Sequence, residues 1–168
     1  MTNQFSLATD VTRAFIQQAR ELLRAEYLPK IERCLEKLTD EQVWWRANPE
    51  ANSIGNLLLH LSGNARQWIV SGLGGEPDRR LRPAEFSERS VIPRGELVTR
   101  LNETISEVDR VLASFQAEQI LDRYQIQGNE VTALAAIFHV TEHFAMHTGQ
   151  IIFITKQLTA SDLHFYDL

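Results

Sequence analysis

The chain has 168 residues, of which 43% are hydrophobic and 23% charged, and its formal net charge is −5. This is the composition of a soluble globular protein, long enough to bury a core without disulfides, so residues 1–168 are predicted to form one domain. Basic residues alternate with acidic ones and no apolar run approaches a membrane span, so we expect a cytoplasmic protein without a nucleic-acid or membrane partner.

Apolar residues at three- and four-residue steps predict a first long helix that is capped at Thr9 or Asp10 and extends to about Leu38. Pro29 is predicted to kink this helix, because it lacks a backbone donor and its ring crowds the preceding turn. The single cysteine, Cys34, lies inside the same pattern and is predicted to be a packing residue.

The second helix follows a short turn that residues 39–42 open with the spacing of a capping box. It is predicted to begin at Asn52 or Ser53, to run through Trp68 and to end at the glycine-rich sequence SGLGGEP. These glycines lack the Lys-Ser/Thr ending of a phosphate loop, which favours helix termination over phosphate binding. Core packing is favoured over a pocket-lining role for the three tryptophans, Trp44, Trp45 and Trp68.

Residues 76–93 contain three prolines and many charges, and they are predicted to form a long connection across one end of a bundle. A third helix follows Pro93, then an irregular stretch, LDRYQIQGNEV, and then a fourth helix from about Val131 to Leu158. These patterns predict an all-α fold, a four-helix bundle with a long crossover between the second and third helices.

Two histidines of the fourth helix, His143 and His147, project within about 40° of each other on its apolar side. Burying an unpaired polar group costs about 1–3 kcal/mol, so these rings need hydrogen-bond partners or a shared ion. His164, near the C-terminus, is predicted to be a surface residue.

The second helix carries His60 in a polar column, where it is predicted to face a water-accessible end of the bundle. Asn56 and Asn64, one turn to either side, are candidate donors near that ring. A histidine pair on one helix and a third histidine on a facing helix can supply three nitrogens to a divalent ion and leave one position open. Hydrogen-bonded core histidines are the alternative, and His139, four residues before His143, leaves open which adjacent pair would bind.

The segments NSIGNLLLHLSGNARQW and EHFAMHTGQIIFITKQL resemble the DinB-like superfamily of four-helix metalloproteins, and the likeness covers essentially the whole chain. By this resemblance His60, His143 and His147 hold a divalent metal ion, zinc or nickel. His139 falls outside the motif and becomes a supporting or packing residue, whereas Gln150 matches the glutamine of the GQI element. The resemblance also implies a homodimer.

The superfamily includes bacillithiol transferases and mycothiol-dependent maleylpyruvate isomerases, so the resemblance implies transfer of a low-molecular-weight thiol to a small electrophile. An ion with an open position lowers the pKa of a bound thiol or water, which makes a nucleophile available near neutral pH. Glu142, beside a proposed ligand, is a weak catalytic candidate. The alternatives are a metal-dependent hydrolase and a non-catalytic metal-binding protein of the stress response.

Overall fold

The computed structural model describes residues 2–165 and is built from helices that pack around one apolar core. In chain order the helices are α1 (Thr2–Glu21), α2 (Leu28–Glu36), α3 (Asp40–Val43), α4 (Ile54–Ala65), α5 (Arg82–Ser87), α6 (Arg94–Ser114) and α7 (Ala133–Thr159). A π-helical segment, Leu22–Tyr27, joins α1 to α2, and a second one, Arg66–Ser71, extends α4. The predicted all-α fold is confirmed.

Four long helical units make the bundle: α1 with α2, α4 with its π-helical extension, α6, and α7. α4 packs against both α6 and α7, and the first unit contacts α6 and α7 from the other side. No helix in residues 2–165 combines the length and the apolar character needed to cross a membrane.

The start of the first helix differs from its prediction. It begins at Thr2, so Thr9 and Asp10 lie inside α1 and do not cap it. The residues before Thr9 contain no glycine or proline that would end a helix, so a capping residue is not needed there. Pro29 lies in the first turn of α2, directly after the π-helical segment, and the kink at Pro29 stays a prediction.

Both local signals around the second helix are present in the structure. Thr39 and Gln42 form the predicted capping box of α3, and Ser53 begins α4 with a second capping box that includes Asn56. Trp44 and Trp68 are buried as predicted, whereas Trp45 is 40% exposed.

Two connections contain regular structure that the sequence patterns did not predict. The long crossover includes α5, and the stretch predicted to be irregular forms an antiparallel hairpin of β1 (Arg123–Ile126) and β2 (Asn129–Thr132). Gln127 and Gly128 form its turn with φ angles of 54° and 79°, the left-handed conformation that a two-residue hairpin turn requires. Because β2 includes Val131, α7 begins two residues later than predicted, with Thr132 as its N-cap.

Candidate metal centre

Three histidine rings from two facing helices converge inside the bundle. The Nε2 atom of His143 lies 3.1 Å from Nε2 of His60 and 2.9 Å from Nε2 of His147. His60 comes from α4, and the other two come from consecutive turns of α7. All three are buried, so the prediction that His60 faces a water-accessible end is wrong. The ring of Phe86, from the α5 segment of the crossover, lies 4.7 Å from the His60 ring and helps to cover it.

Two of these rings, His60 and His147, are oriented by hydrogen-bond acceptors that lie beside their Nδ1 atoms. Nδ1 of His60 lies 2.9 Å from Oε2 of Glu85, and Nδ1 of His147 lies 2.7 Å from Oε1 of Gln150. A carboxylate or amide oxygen accepts a hydrogen bond, so each Nδ1 carries the proton and each Nε2 presents its lone pair. This is the tautomer in which Nε2 can bind a metal ion.

The third ring, His143, is held in its neutral form. Burial, reinforced by the nearby His147, His60 and His139, lowers the pKa of His143 to about 3. Its Nδ1 atom is buried and has no hydrogen-bond partner among the described residues. Burial also lowers the pKa of His147, so neutral imidazoles, the form that binds metals, are favoured at both α7 positions.

The donor set fits a divalent ion. Both Nε2–Nε2 separations lie within hydrogen-bonding distance, so either a proton on His143 Nε2 or a cation can bridge these nitrogens. Three nitrogens bound to one tetrahedral zinc ion stand about 3.3 Å apart, close to the two separations seen here. The three buried histidines could therefore hold a metal ion.

The residue that the sequence did not indicate is Glu85, on α5. Its two oxygens accept hydrogen bonds from Arg80 Nε at 2.7 Å and Arg80 Nη2 at 2.9 Å, while Oε2 also faces His60. Burial alone would raise the pKa of Glu85, but the hydrogen bonds from Arg80 and His60 outweigh it, and the net pKa is lowered. Glu85 therefore stays anionic beside His60, and Arg80, whose side chain is 4% exposed, fixes its position.

Two other predicted residues lie away from the three converging nitrogens. The His139 ring packs against Trp68 with ring centroids 4.1 Å apart and stacks on His143 at 5.3 Å, and its Nε2 lies 3.2 Å from Nδ2 of Asn64. Glu142 has a side chain that is 60% exposed and lies 3.8 Å from Nδ1 of His139. Burial lowers the pKa of His139, which favours its neutral form in this packing role.

Asn56 supports the site indirectly. Its Nδ2 atom donates to the backbone oxygens of Glu85 and Glu88, at 2.8 and 3.2 Å, while its Oδ1 atom accepts from Ser53. Asn56 therefore ties the start of α4 to the crossover segment that carries Glu85, and does not act on the His60 ring. Among the described residues, Gln150 is the predicted supporting residue whose side chain lies within hydrogen-bonding distance of one of the three histidines, His147.

Comparison with known proteins supports the fold. A family model described as "Protein of unknown function (DUF1572)" matches residues 10–167. A conserved protein from Enterococcus faecalis has a similar structure, with a TM-score of 0.66, 18% identity, and coverage of 91% of this chain and 98% of its own. For a DinB-like protein from Bacillus cereus the TM-score is 0.65 and the identity 15%, with coverage of 86% of this chain and 90% of its own.

At these identities the two solved structures establish the fold and not the chemistry. No curated protein matches the chain. The family match nevertheless spans nearly the full sequence, and the structural relatives share the helical bundle that positions the histidines. The chain belongs to the DUF1572 family, and its helical fold is similar to that of the DinB-like protein from Bacillus cereus.

Proposed function

We propose that His60, His143 and His147 bind one divalent metal ion, zinc or nickel, and that the protein transfers a low-molecular-weight thiol to a small electrophile. The observation that carries the proposal is the convergence of three Nε2 atoms, with His60 and His147 oriented through their Nδ1 atoms. Three protein ligands leave a position for a further ligand. Glu85 and Gln150 would hold the rings in place.

Bound there, the ion would supply Lewis acidity that makes a thiol or water ligand more acidic. The thiol sulfur then forms a bond to the electrophilic carbon while a carbon–chlorine or epoxide carbon–oxygen bond breaks. Chloride leaves with the thiol proton released to solvent, or the epoxide oxygen takes up a proton as the ring opens. The protein's own contribution is to orient the imidazoles and to keep them neutral.

The acidic residues around the site favour thiol transfer over hydrolysis. Metal-dependent hydrolysis commonly uses a carboxylate as general base. Among the described residues, the carboxylate that contacts one of the three histidines is Glu85, which is engaged by both Arg80 and His60, whereas Glu142 faces His139. A thiol that is already acidified needs no such base. The hydrolase and the non-catalytic metal-binding protein are the alternatives.

We expect His60→Ala, His143→Ala and His147→Ala each to abolish stoichiometric metal, because each change removes one of three ligands. His139→Ala is the matched control, since it removes a neighbouring imidazole that packs against Trp68, and it should retain the ion. Elemental analysis of protein purified without added metal measures the stoichiometry and identifies the ion. Loss of metal from His139→Ala with retention in His60→Ala would show that the assignment is wrong.

The activity is tested by mixing metal-loaded protein with bacillithiol, mycothiol or glutathione and with a chlorinated nitrobenzene or an epoxide. Thiol consumption should be faster than with His147→Ala. Hydrolysis of simple esters or amides without thiol transfer would support the hydrolase. Metal binding with equal rates for both proteins and no hydrolysis would support the non-catalytic alternative.

A homodimer is also proposed. Phe138, Met146 and Phe153, all on α7, are 58%, 53% and 62% exposed, and an apolar helix face of this kind suits a second copy of the chain. Sedimentation velocity at increasing protein concentration tests this, and a monomer at every concentration would contradict it. A cytoplasmic location and a single domain over residues 1–168 remain predictions.

A further inference from the structure

A separate cleft of about 380 Å³ lies between α4, the crossover and α6. Arg80 and Glu85 line this cleft and also contact His60, so it adjoins the histidine cluster without including the three rings. Its volume is within the range of small-molecule sites, roughly 300–1,000 Å³. The cleft therefore has room for a small ligand of its own.

The polar wall of the cleft offers unused donors. Arg79 and Arg100 line it, both are exposed, and within residues 2–165 neither side chain has a hydrogen bond or ion pair. By contrast the Arg80 side chain is already engaged, because it bonds to Glu85 through Nε and Nη2 and donates from Nη1 to Gln67. The guanidinium groups of Arg79 and Arg100 are therefore free to bind a ligand.

The acidic groups of the same wall already have donors. Asp78 accepts hydrogen bonds from Gln67 Nε2 at 2.7 Å and from the backbone N–H of Arg80 at 3.0 Å. Glu88 accepts from the backbone N–H and the hydroxyl of Ser90. Four arginines and three carboxylates line the cleft. Arg66 is paired with Glu107 and Arg80 with Glu85, so among the described residues Arg79 and Arg100 are the lining arginines without a carboxylate partner.

The remaining wall is apolar. Leu59, Ala84 and Ile92 line the cleft together with Leu81, which is 74% exposed. An exposed leucine beside two unpaired guanidinium groups suits a ligand that has both an anionic end and a short apolar body. Guanidinium groups bind carboxylates and phosphates through paired hydrogen bonds.

We propose that this cleft binds a small anion, a carboxylate or a phosphate monoester, with a short alkyl chain. Arg79 and Arg100 hold the anionic group, and Leu59, Leu81 and Ile92 contact the alkyl chain. The site is independent of the metal, so its test does not depend on the function proposed for the histidines.

The test measures binding of hexanoate, hexyl phosphate and hexanol to the full-length protein by calorimetry and by chemical-shift titration. A dissociation constant of about 1 mM is expected for at least one anion, as for other ligands of this size. The preference between hexanoate and hexyl phosphate identifies the anionic group. Hexanol should bind at least tenfold more weakly.

Arg79→Met and Arg100→Met should each weaken anion binding about tenfold, because each removes one charge-assisted hydrogen-bonding group. Arg33→Met is the matched control, since Arg33 is exposed on α2, outside the cleft, and should bind the anion as the unmodified chain does. Shift changes should map to the crossover and α4. No saturable binding of either anion, equal binding of hexanol, or unchanged binding by both cleft variants would overturn the proposal.

Discussion

Replacing Glu85 with alanine is expected to lower the free energy of unfolding by about 3–5 kcal/mol, because it leaves a buried guanidinium without its counter-charge. The Arg80 side chain is 4% exposed and donates two hydrogen bonds to this carboxylate. The same change removes the acceptor of His60 Nδ1, so metal affinity is expected to fall about 10- to 100-fold. Urea unfolding of metal-free protein and chelator competition measure the two effects.

The double substitution Arg80→Met/Glu85→Leu separates stability from ligand orientation. An apolar pair of similar volume should recover most of the lost stability, because no buried charge remains unpaired. Metal affinity should stay as low as in Glu85→Ala, since His60 still lacks its acceptor. Glu88→Ala, which removes a carboxylate bonded to Ser90, should leave affinity unchanged. Full metal affinity in Glu85→Ala would show that the carboxylate does not position His60.

The helices were predictable because their signals are local. Three- and four-residue apolar steps indicate which segments are helical, and Ser53 and Pro93 mark where two of them begin. The hairpin was not predicted, because its turn is formed by Gln127 and Gly128 and only the glycine is a strong turn signal. The early start of α1 was not predicted, because Thr9 and Asp10 resemble capping residues but the chain before them is also helical, so they do not mark the start of the helix.

The site was predictable only in part, for a different reason. The spacing of His143 and His147 places them on one side of α7, and the resemblance adds His60. The contact between Glu85 and His60 joins residues 25 positions apart and depends on how the crossover folds over α4. No periodicity encodes such a contact. The sequence also left His139 as an alternative partner, whereas in the structure its ring packs on Trp68.

Gly63→Ala is expected to destabilise the protein by about 2 kcal/mol, although alanine normally stabilises a helix interior by about 1 kcal/mol relative to glycine. Gly63 lies in α4 beneath the Glu85 carboxylate. An added Cβ would stand 2.9 Å from Cδ of Glu85, closer still to its Oε1, and 3.1 Å from Nε of Arg80. The methyl group must displace a carboxylate that Arg80 and His60 hold in place, and this loss exceeds the gain in helix propensity.

Gly149→Ala makes the same change where there is space, since an added Cβ would have no described atom within 4 Å apart from its chain neighbours and the backbone of α7 around it. It should stabilise the metal-free protein by about 0.5–1 kcal/mol, so the two variants should differ in sign. In a Glu85→Ala background the obstructing carboxylate is absent, so adding Gly63→Ala should lower the free energy of unfolding only slightly or raise it. A double-mutant cycle from urea unfolding therefore gives a coupling energy between positions 63 and 85. A coupling energy of zero would show that the methyl group does not act through Glu85. Close packing of α4 against the Glu85 carboxylate would then not be the reason why position 63 requires glycine.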